Sequence, residues 1–244
     1  MNSIVTLSPL YSIIDFSCFA AQPDPITAIA RYGEELIAAG ATLIQLRDKS
    51  QPEQPRRFLS CARELRRVTW GTGTTPRATL IINDRIDICL AADADGVHLG
   101  QEDLSPEAAR RIFDSVSHPL RPMEAHGDQQ QSGSQRMGHP NLLLIGFSTH
   151  NLAQVIAADA LPIDYIAIGP VFATGSKANP DPVVGLEGVR QARGVTKKPL
   201  VAIGGITRLN CSQVKAAGAD AVAVISDLLE SPAKAVADFL RVLG

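Results

Sequence analysis

No CxxC pair occurs among the four cysteines, which are scattered at Cys18, Cys61, Cys89 and Cys211. That scatter argues against a zinc ribbon or a disulfide framework and suits a reduced, cytoplasmic setting in which thiols serve as small core residues. No apolar run approaches the ~20 residues that cross a bilayer. The first Lys or Arg is Arg31 and Asp15 interrupts the first apolar stretch, so no signal peptide is expected. An excess of one charge is also missing. With a formal net charge of -2, bulk electrostatics gives no reason to expect nucleic-acid or membrane partners. Any anionic ligand must be held by local groups. No GxGxxG follows the first apolar strand and the P-loop spacing is absent, which argues against a dinucleotide-binding sheet or a Walker-type nucleotide site.

What the chain does have is globular: 45% hydrophobic and 20% charged residues over 244 positions. That length fits one barrel of eight strand–helix units, which typically needs about 250 residues. Leu10 to Phe16 reads as the first strand, and Asp24-Pro25 opens a helix with apolar positions Ile26, Ile29, Leu36 and Ile37, closing at Gly40. Thr42 to Leu46 is the second strand. Pro52 to Val68 is the next helix, burying Phe58, Leu59, Ala62, Leu65 and Val68. Further strands fall at Leu80 to Ile82, Gly96 to Leu99, Asn141 to Gly146, Ile163 to Ile168, Leu200 to Ile203 and Ala221 to Ile225. Ser148 and Thr149 are placed to cap a helix from His150 to Ala158, and a last helix spans Pro232 to Leu243. Eight strands alternating with helical stretches predict an α/β fold, a single-domain (β/α)8 TIM barrel over 1–244; a doubly wound open sheet is the alternative. Residues 118–140 interrupt the pattern with three successive glutamines and few aliphatics, and read as a mobile surface insertion. His118, His126 and His139 lie in it at no usual metal-ligand spacing.

The polar residues fall at strand ends. Strand alternation puts Gln45, Arg47 and Lys49 on one face, where inward charge needs a partner; an exposed basic cluster beside Asp48 and Glu53 is the other reading. The stretch LIINDRIDICLAADADGVHLGQEDL, residues 80–104, ends two strands at Asn83-Asp84 and at Gln101-Glu102-Asp103. If these strands are parallel neighbours, Asp84 and Asp103 share one sheet edge and can share one divalent cation such as Mg2+. Alternatively, Asp84 caps the next helix and Asp103 is a surface acid ahead of Ser105-Pro106. His150 reads equally as an acid–base group or as a structural residue at a helix start. The loop GPVFATGSKANPDPVVGLEGV is long for a strand–helix connection, and Thr174, Ser176 and Lys177 supply hydroxyls, amides and a cation suited to a phosphate. Gly204-Gly205 after the seventh strand and Ser226 after the eighth occupy the usual phosphate site of such a barrel.

Six motifs in order, QLRDK at 45–49, INDRIDICLAADADGVHLGQEDL at 82–104, GFSTHN at 146–151, GPVFATGSK at 169–177, AIGGI at 202–206 and AVAVIS at 221–226, resemble the thiamine phosphate synthase family. The resemblance implies a magnesium-dependent transferase that joins hydroxymethylpyrimidine diphosphate to the phosphorylated hydroxyethylthiazole, with diphosphate leaving first. It implies Mg2+ on Asp84 and Asp103, and the departing diphosphate neutralised by Arg47, Lys49, Asn83 and Lys177. The pyrimidine would meet Gln45 and Ser148, and the thiazole phosphate side would involve Thr174, Ser176 and amides near Gly205, Ile225 and Ser226. One departure stands out: Gly175-Ser176 replaces the Ser-Thr pair the family commonly shows before the lysine, which bears on fine specificity. The partners implied are phosphorylated small molecules, with homo-oligomerisation left open. A thiazole tautomerase-like relative in the same fold would not need the diphosphate and metal residues, and a non-catalytic thiazole-phosphate-binding barrel would bind without turnover.

Overall fold

Asp24 starts the first helix by accepting a hydrogen bond from the Thr27 amide, with Pro25 supplying a first-turn φ and no N–H to satisfy. The computed structural model describes residues 7–50, 54–71, 77–117, 143–174 and 182–244. Its strands are β1 (Leu10–Asp15), β2 (Leu43–Arg47), β3 (Thr79–Asn83), β4 (Gly96–Leu99), β5 (Leu144–Thr149), β6 (Tyr165–Ile168), β7 (Leu200–Ile203) and β8 (Ala221–Val224). The helices are α1 (Pro25–Ala38), α2 (Pro55–Trp70), α3 (Ile86–Ala91), α4 (Pro106–Ser117), α5 (Leu152–Asp159), α6 (Gly185–Val195), α7 (Cys211–Ala216) and α8 (Pro232–Leu243). All neighbouring strands pair in parallel, and β8 closes on β1. The fold is a (β/α)8 barrel.

Several boundaries differ from the sequence reading by one to three residues. The second helix starts at Pro55 rather than Pro52, with Gln54 at its N-cap position. The fifth strand runs three residues later, to Thr149, so Ser148 and Thr149 are strand residues and not helix caps. Asn151 caps α5 instead, accepting from the Gln154 amide at 2.9 Å. The 118–140 insertion and its three histidines lie outside the described residues.

Strand alternation sorts side chains into two cores. Outward residues such as Leu10, Ile44, Leu80, Val97, Ile145, Ile166 and Leu200 pack with the helix stripes, where Ile29, Leu36, Phe58, Leu65 and Phe239 are buried. Each fully buried aliphatic or aromatic side chain is worth roughly 1.5–3 kcal/mol. Inward residues Tyr11, Ile13, Leu43, Ile81, Tyr165, Ala167, Val201, Ala221 and Ala223 fill the barrel itself. Cross-strand register puts Asn83 beside His98 and Ser148 beside Ala167. The inward side of β2 to β5 is therefore polar above its first layer, while that of β6 to β8 stays mainly apolar.

The N-terminal rim of the barrel is closed by one device used three times. Asp95, Asp164 and Asp220 each stand one residue before an even-numbered strand. Their backbone amides donate to the carbonyls of Leu80, Ile145 and Leu200 at 2.8 Å in each case. Their carboxylates accept from the amides of those same three residues at 2.7, 2.7 and 2.8 Å. An arginine from α2, α4 or α6 then pairs with each acid in turn: Arg66 at 2.9 Å, Arg110 at 2.7 Å and Arg193 at 2.7 Å. Backbone groups at a strand start have no ladder partner of their own, and these acids supply it.

Candidate active site

At the opposite rim, the C-terminal strand ends surround a cavity of about 980 Å3. The chain leaves β3 at Asp84, whose φ of 62° lies in the left-handed region. Aspartate tolerates that conformation better than most residues, and here Arg85 N–H donates to Asn83 C=O at 2.7 Å across it. The Asp84 amide donates to the His98 carbonyl at 2.8 Å, which ties the end of β3 to β4. After β4 the chain folds back so that Asp103 accepts from the Gly100 amide at 2.7 Å. The two turns bring Asp84 and Asp103 to the same end of the cavity, with Lys49 Nζ 2.8 Å from Asp84 Oδ2. Burial, and after it the Asp103 contact, push the Asp84 carboxyl up to about 6, against the pull of Lys49.

Gln45, Arg47 and Lys49 all line this cavity. The partner that Arg47 needs is Asp15, its cross-strand neighbour at the end of β1, which also accepts from Ser17 N and Oγ at 3.0 and 2.6 Å. Asp48 turns away and pairs with Arg57, so it is not the counter-charge of Arg47 or Lys49. Glu53 lies outside the described residues.

Deeper in the barrel a chain of side-chain hydrogen bonds crosses from β2 to β5. Gln45 Nε2 donates to Tyr11 Oη at 2.8 Å, and Tyr11 Oη lies 2.9 Å from Tyr165 Oη. Tyr165 Oη is 3.1 Å from His98 Nδ1, and His98 Nε2 is 2.8 Å from Ser148 Oγ. Burial lowers the His98 imidazolium to about 4, so the ring is neutral near pH 7. Gly146 makes room for this arrangement: a Cβ there would sit 2.0 Å from Tyr165 Cζ.

The far side of the cavity is built from backbone. Gly204 and Gly205 have φ of 101° and 63°, and a Cβ on Gly205 would meet Ala173 O at 2.6 Å. Only glycine lets the loop close so tightly. Asn210 secures it, donating to Gly205 O at 3.0 Å and accepting from Thr207 N at 2.8 Å. Ile225 and Ser226 face the same space at the start of a short 3-10 helix, Ser226–Leu228, and Thr174 lines it as well. Ser176 and Lys177 lie outside the described residues. His150 also lines the cavity, and its Nδ1 is 2.9 Å from Gly169 O, a contact that holds the ring against the loop after β6.

Sequence reasoning missed Asp15, Tyr11, Tyr165, His98 and Asn210. The inward alternation of GVHL marks His98 once the register of β4 is known; for the two tyrosines, 154 residues apart, no local signal exists. Among the described residues no group of three or more His, Cys, Asp or Glu is arranged to hold a metal. Mg2+ does not require one: it commonly takes one or two carboxylates and completes its shell with water and substrate phosphate. Two carboxyls forced together with one lysine as counter-charge fit such an ion.

Fold and site define a (β/α)8-barrel enzyme working at the C-terminal ends of its strands. Its family follows from comparison. The chain belongs to the thiamine monophosphate synthase family, whose pattern matches residues 18–117 and 127–228. The thiamine-phosphate synthase of Koribacter versatilis is 44% identical over 243 residues, covering 100% of this chain and 99% of that protein. That of Methanoregula boonei is 40% identical over 204 residues, covering 84% and 78%. The solved thiamine phosphate pyrophosphorylase from Pyrococcus furiosus superposes with a TM-score of 0.72 at 30% identity, covering 96% of this chain and 95% of that one. The chain is accordingly a transferase of thiamine biosynthesis, and the relatives carry the synthase name rather than that of a tautomerase or a sensor. No described helix is long and apolar enough to cross a membrane.

Proposed function

We propose that this chain joins 4-amino-2-methyl-5-hydroxymethylpyrimidine diphosphate to 4-methyl-5-(2-phosphoethyl)thiazole, giving thiamine phosphate and diphosphate, with Mg2+ on Asp84 and Asp103. The observation that carries the reading is the crowded acid pair beside Lys49, Arg47 and Asn83, across one cavity from the glycine loop and Ser226. The bound ion would neutralise diphosphate oxygens as negative charge grows on them. Arg47, pinned by Asp15, and Lys49 add fixed positive charge at the same end. When the C–O bond of the pyrimidine methylene breaks, its electron pair goes to the diphosphate, so these groups stabilise the transition state more than the bound substrate. The thiazole nitrogen supplies the pair for the new C–N bond. No nucleophilic side chain is needed.

The amides near Gly205, Ile225 and Ser226 would hold the thiazole phosphate, with Thr174 and Ser176 beside it and Lys177 reaching the diphosphate. Gln45 and Ser148 would contact the pyrimidine. A cytoplasmic setting belongs to the same reading and is supported by four free thiols, three of them buried. The test is an assay with purified protein and both phosphorylated substrates, with Mg2+ or with a chelator. The reading expects thiamine phosphate and diphosphate in equal amounts only with metal. Thiazole phosphate binding without product would refute it.

A further inference from the structure

The chain from Gln45 to Ser148 has a direction, and its two ends are exposed to the cavity. Each tyrosine hydroxyl has one proton to give, and a neutral imidazole has one N–H. Gln45 gives its amide proton to Tyr11; Tyr11 must then spend its own proton on Tyr165, and Tyr165 must give its proton to His98 Nδ1. His98 is left with its proton on Nε2, which it donates to Ser148 Oγ. The Ser148 proton then has nowhere to point but the cavity, and Gln45 keeps its carbonyl oxygen free on the same side. Reversing one link alone would set two protons or two lone pairs against each other among buried groups, which costs roughly 1–3 kcal/mol per unmade bond. The five groups reverse together or not at all.

Packing does not explain the trio of rings. Tyr11 and Tyr165 meet edge to face at 5.9 Å and His98 stacks on Tyr165 at 5.6 Å, in a barrel interior otherwise filled by Ile13, Leu43, Ile81, Ala167, Val201, Ala221 and Ala223. An all-apolar filling would serve the core at least as well. We infer that Tyr11, Tyr165 and His98 are positioning residues that couple the amide orientation of Gln45 to the hydroxyl direction of Ser148, so that the cavity offers a paired acceptor and donor selecting an amino-pyrimidine over its oxo counterpart. The ligand half of this inference rests on the proposed synthase activity; the coupling half does not. An amino-pyrimidine presents an amino donor and ring-nitrogen acceptors, which match a carbonyl at Gln45 and an O–H at Ser148. The 4-oxo analogue presents a ring N–H and a carbonyl, which match the reversed chain. Sites built on buried hydrogen-bonding groups reject a mismatched ligand by about 10^4-fold or more.

Nitrogen-15 NMR of histidine-labelled full-length protein tests the coupling directly, with the His98 signals identified by their loss in His98→Gln. The expected result at pH 7.5 is the Nε2–H tautomer in the wild type and a mixture of tautomers in Tyr165→Phe. Steady-state kinetics on the amino- and 4-oxo-pyrimidine diphosphates should show the preference for the amino substrate falling at least about tenfold in Tyr165→Phe, the worth of roughly one buried hydrogen bond, while KM for the thiazole phosphate is unchanged. An Nδ1–H tautomer in the wild type, or a Tyr165→Phe variant with tautomer and preference intact, would overturn the inference. Should Tyr165→Phe fail to fold, Tyr11→Phe cuts the same chain one link away and carries the same expectations. If neither pyrimidine diphosphate is joined to the thiazole phosphate, the activity is refuted while the tautomer still decides the coupling.

Discussion

The two rims of this barrel treat aspartate in opposite ways. At the N-terminal rim, Asp95, Asp164 and Asp220 each accept a strand amide and pair with an arginine, so every one of the three is neutralised where it stands. At the C-terminal rim, Asp84 sits in left-handed backbone, pressed against a second carboxyl and served by one lysine. The first arrangement stabilises the fold. The second opposes it, at the end of the barrel where the proposed site for a cation and a diphosphate lies, and local costs of that kind cluster at functional sites. Asp15 lies between these extremes: it is satisfied, but its task is to hold Arg47 at the cavity.

Substitutions at the two rims should therefore separate activity from stability. The largest effect is expected for Asp84→Asn, which keeps a residue tolerant of positive φ and removes the charge: turnover should fall by about 10^3-fold, the scale of losing one preorganised electrostatic group, with cooperative unfolding retained. Steady-state rates in saturating Mg2+ check this. Next comes Asp164→Ala, which strips the Ile145 amide of its side-chain acceptor and Arg110 of its carboxylate. Urea unfolding should show a loss of about 3 kcal/mol, or a Tm lower by about 6–12 °C, with kcat within about twofold of the parent. A smaller change is expected for Asp15→Ala: freed from its anchor, Arg47 should cost kcat/KM for the pyrimidine diphosphate about tenfold, or ~1.4 kcal/mol. The smallest belongs to a pair at neither rim's business, the exposed Arg85–Asp87 bridge. Asp87→Ala should shift stability by less than about 0.5 kcal/mol and leave the rate alone.

Much of the top rim was legible in the sequence because strand ends announce themselves: an apolar run stops and a polar residue follows. Asn83-Asp84, Gln101 to Asp103, Gly204-Gly205 and Ser226 were all found that way, and alternation from Leu46 put Gln45, Arg47 and Lys49 on the cavity side. What escaped depends on the closed sheet rather than on the local chain. The fifth strand runs on through Ser148 and Thr149 because Thr149 Oγ1 has a partner in the Ala167 carbonyl of β6 at 2.8 Å, and no local signal reveals that strand pairing. The Tyr11–Tyr165 contact spans 154 residues and exists only once β1 and β6 face each other across the barrel. The bottom rim was readable in retrospect. Ala94-Asp95-Gly96, Ile163-Asp164-Tyr165 and Ala219-Asp220-Ala221 each set an acid just before a strand, but their common role needs the arginines to be seen beside them.

The most direct test of the contrast is the unfolding free energy of Asp84→Asn against the wild type across pH. A carboxyl held at about 6 in the folded protein binds its proton more tightly there than in the unfolded chain, where its ordinary value is 3.8. Its contribution favours folding below that ordinary value and is lost as pH rises through 6, leaving a penalty of about 2–3 kcal/mol at pH 7.5. The variant should accordingly be the more stable protein at pH 7.5, with its advantage shrinking towards zero near pH 4. A variant equally or less stable at pH 7.5, or one whose difference from the wild type does not change with pH, would contradict the view that the acids of the C-terminal rim are held against the fold's own preference.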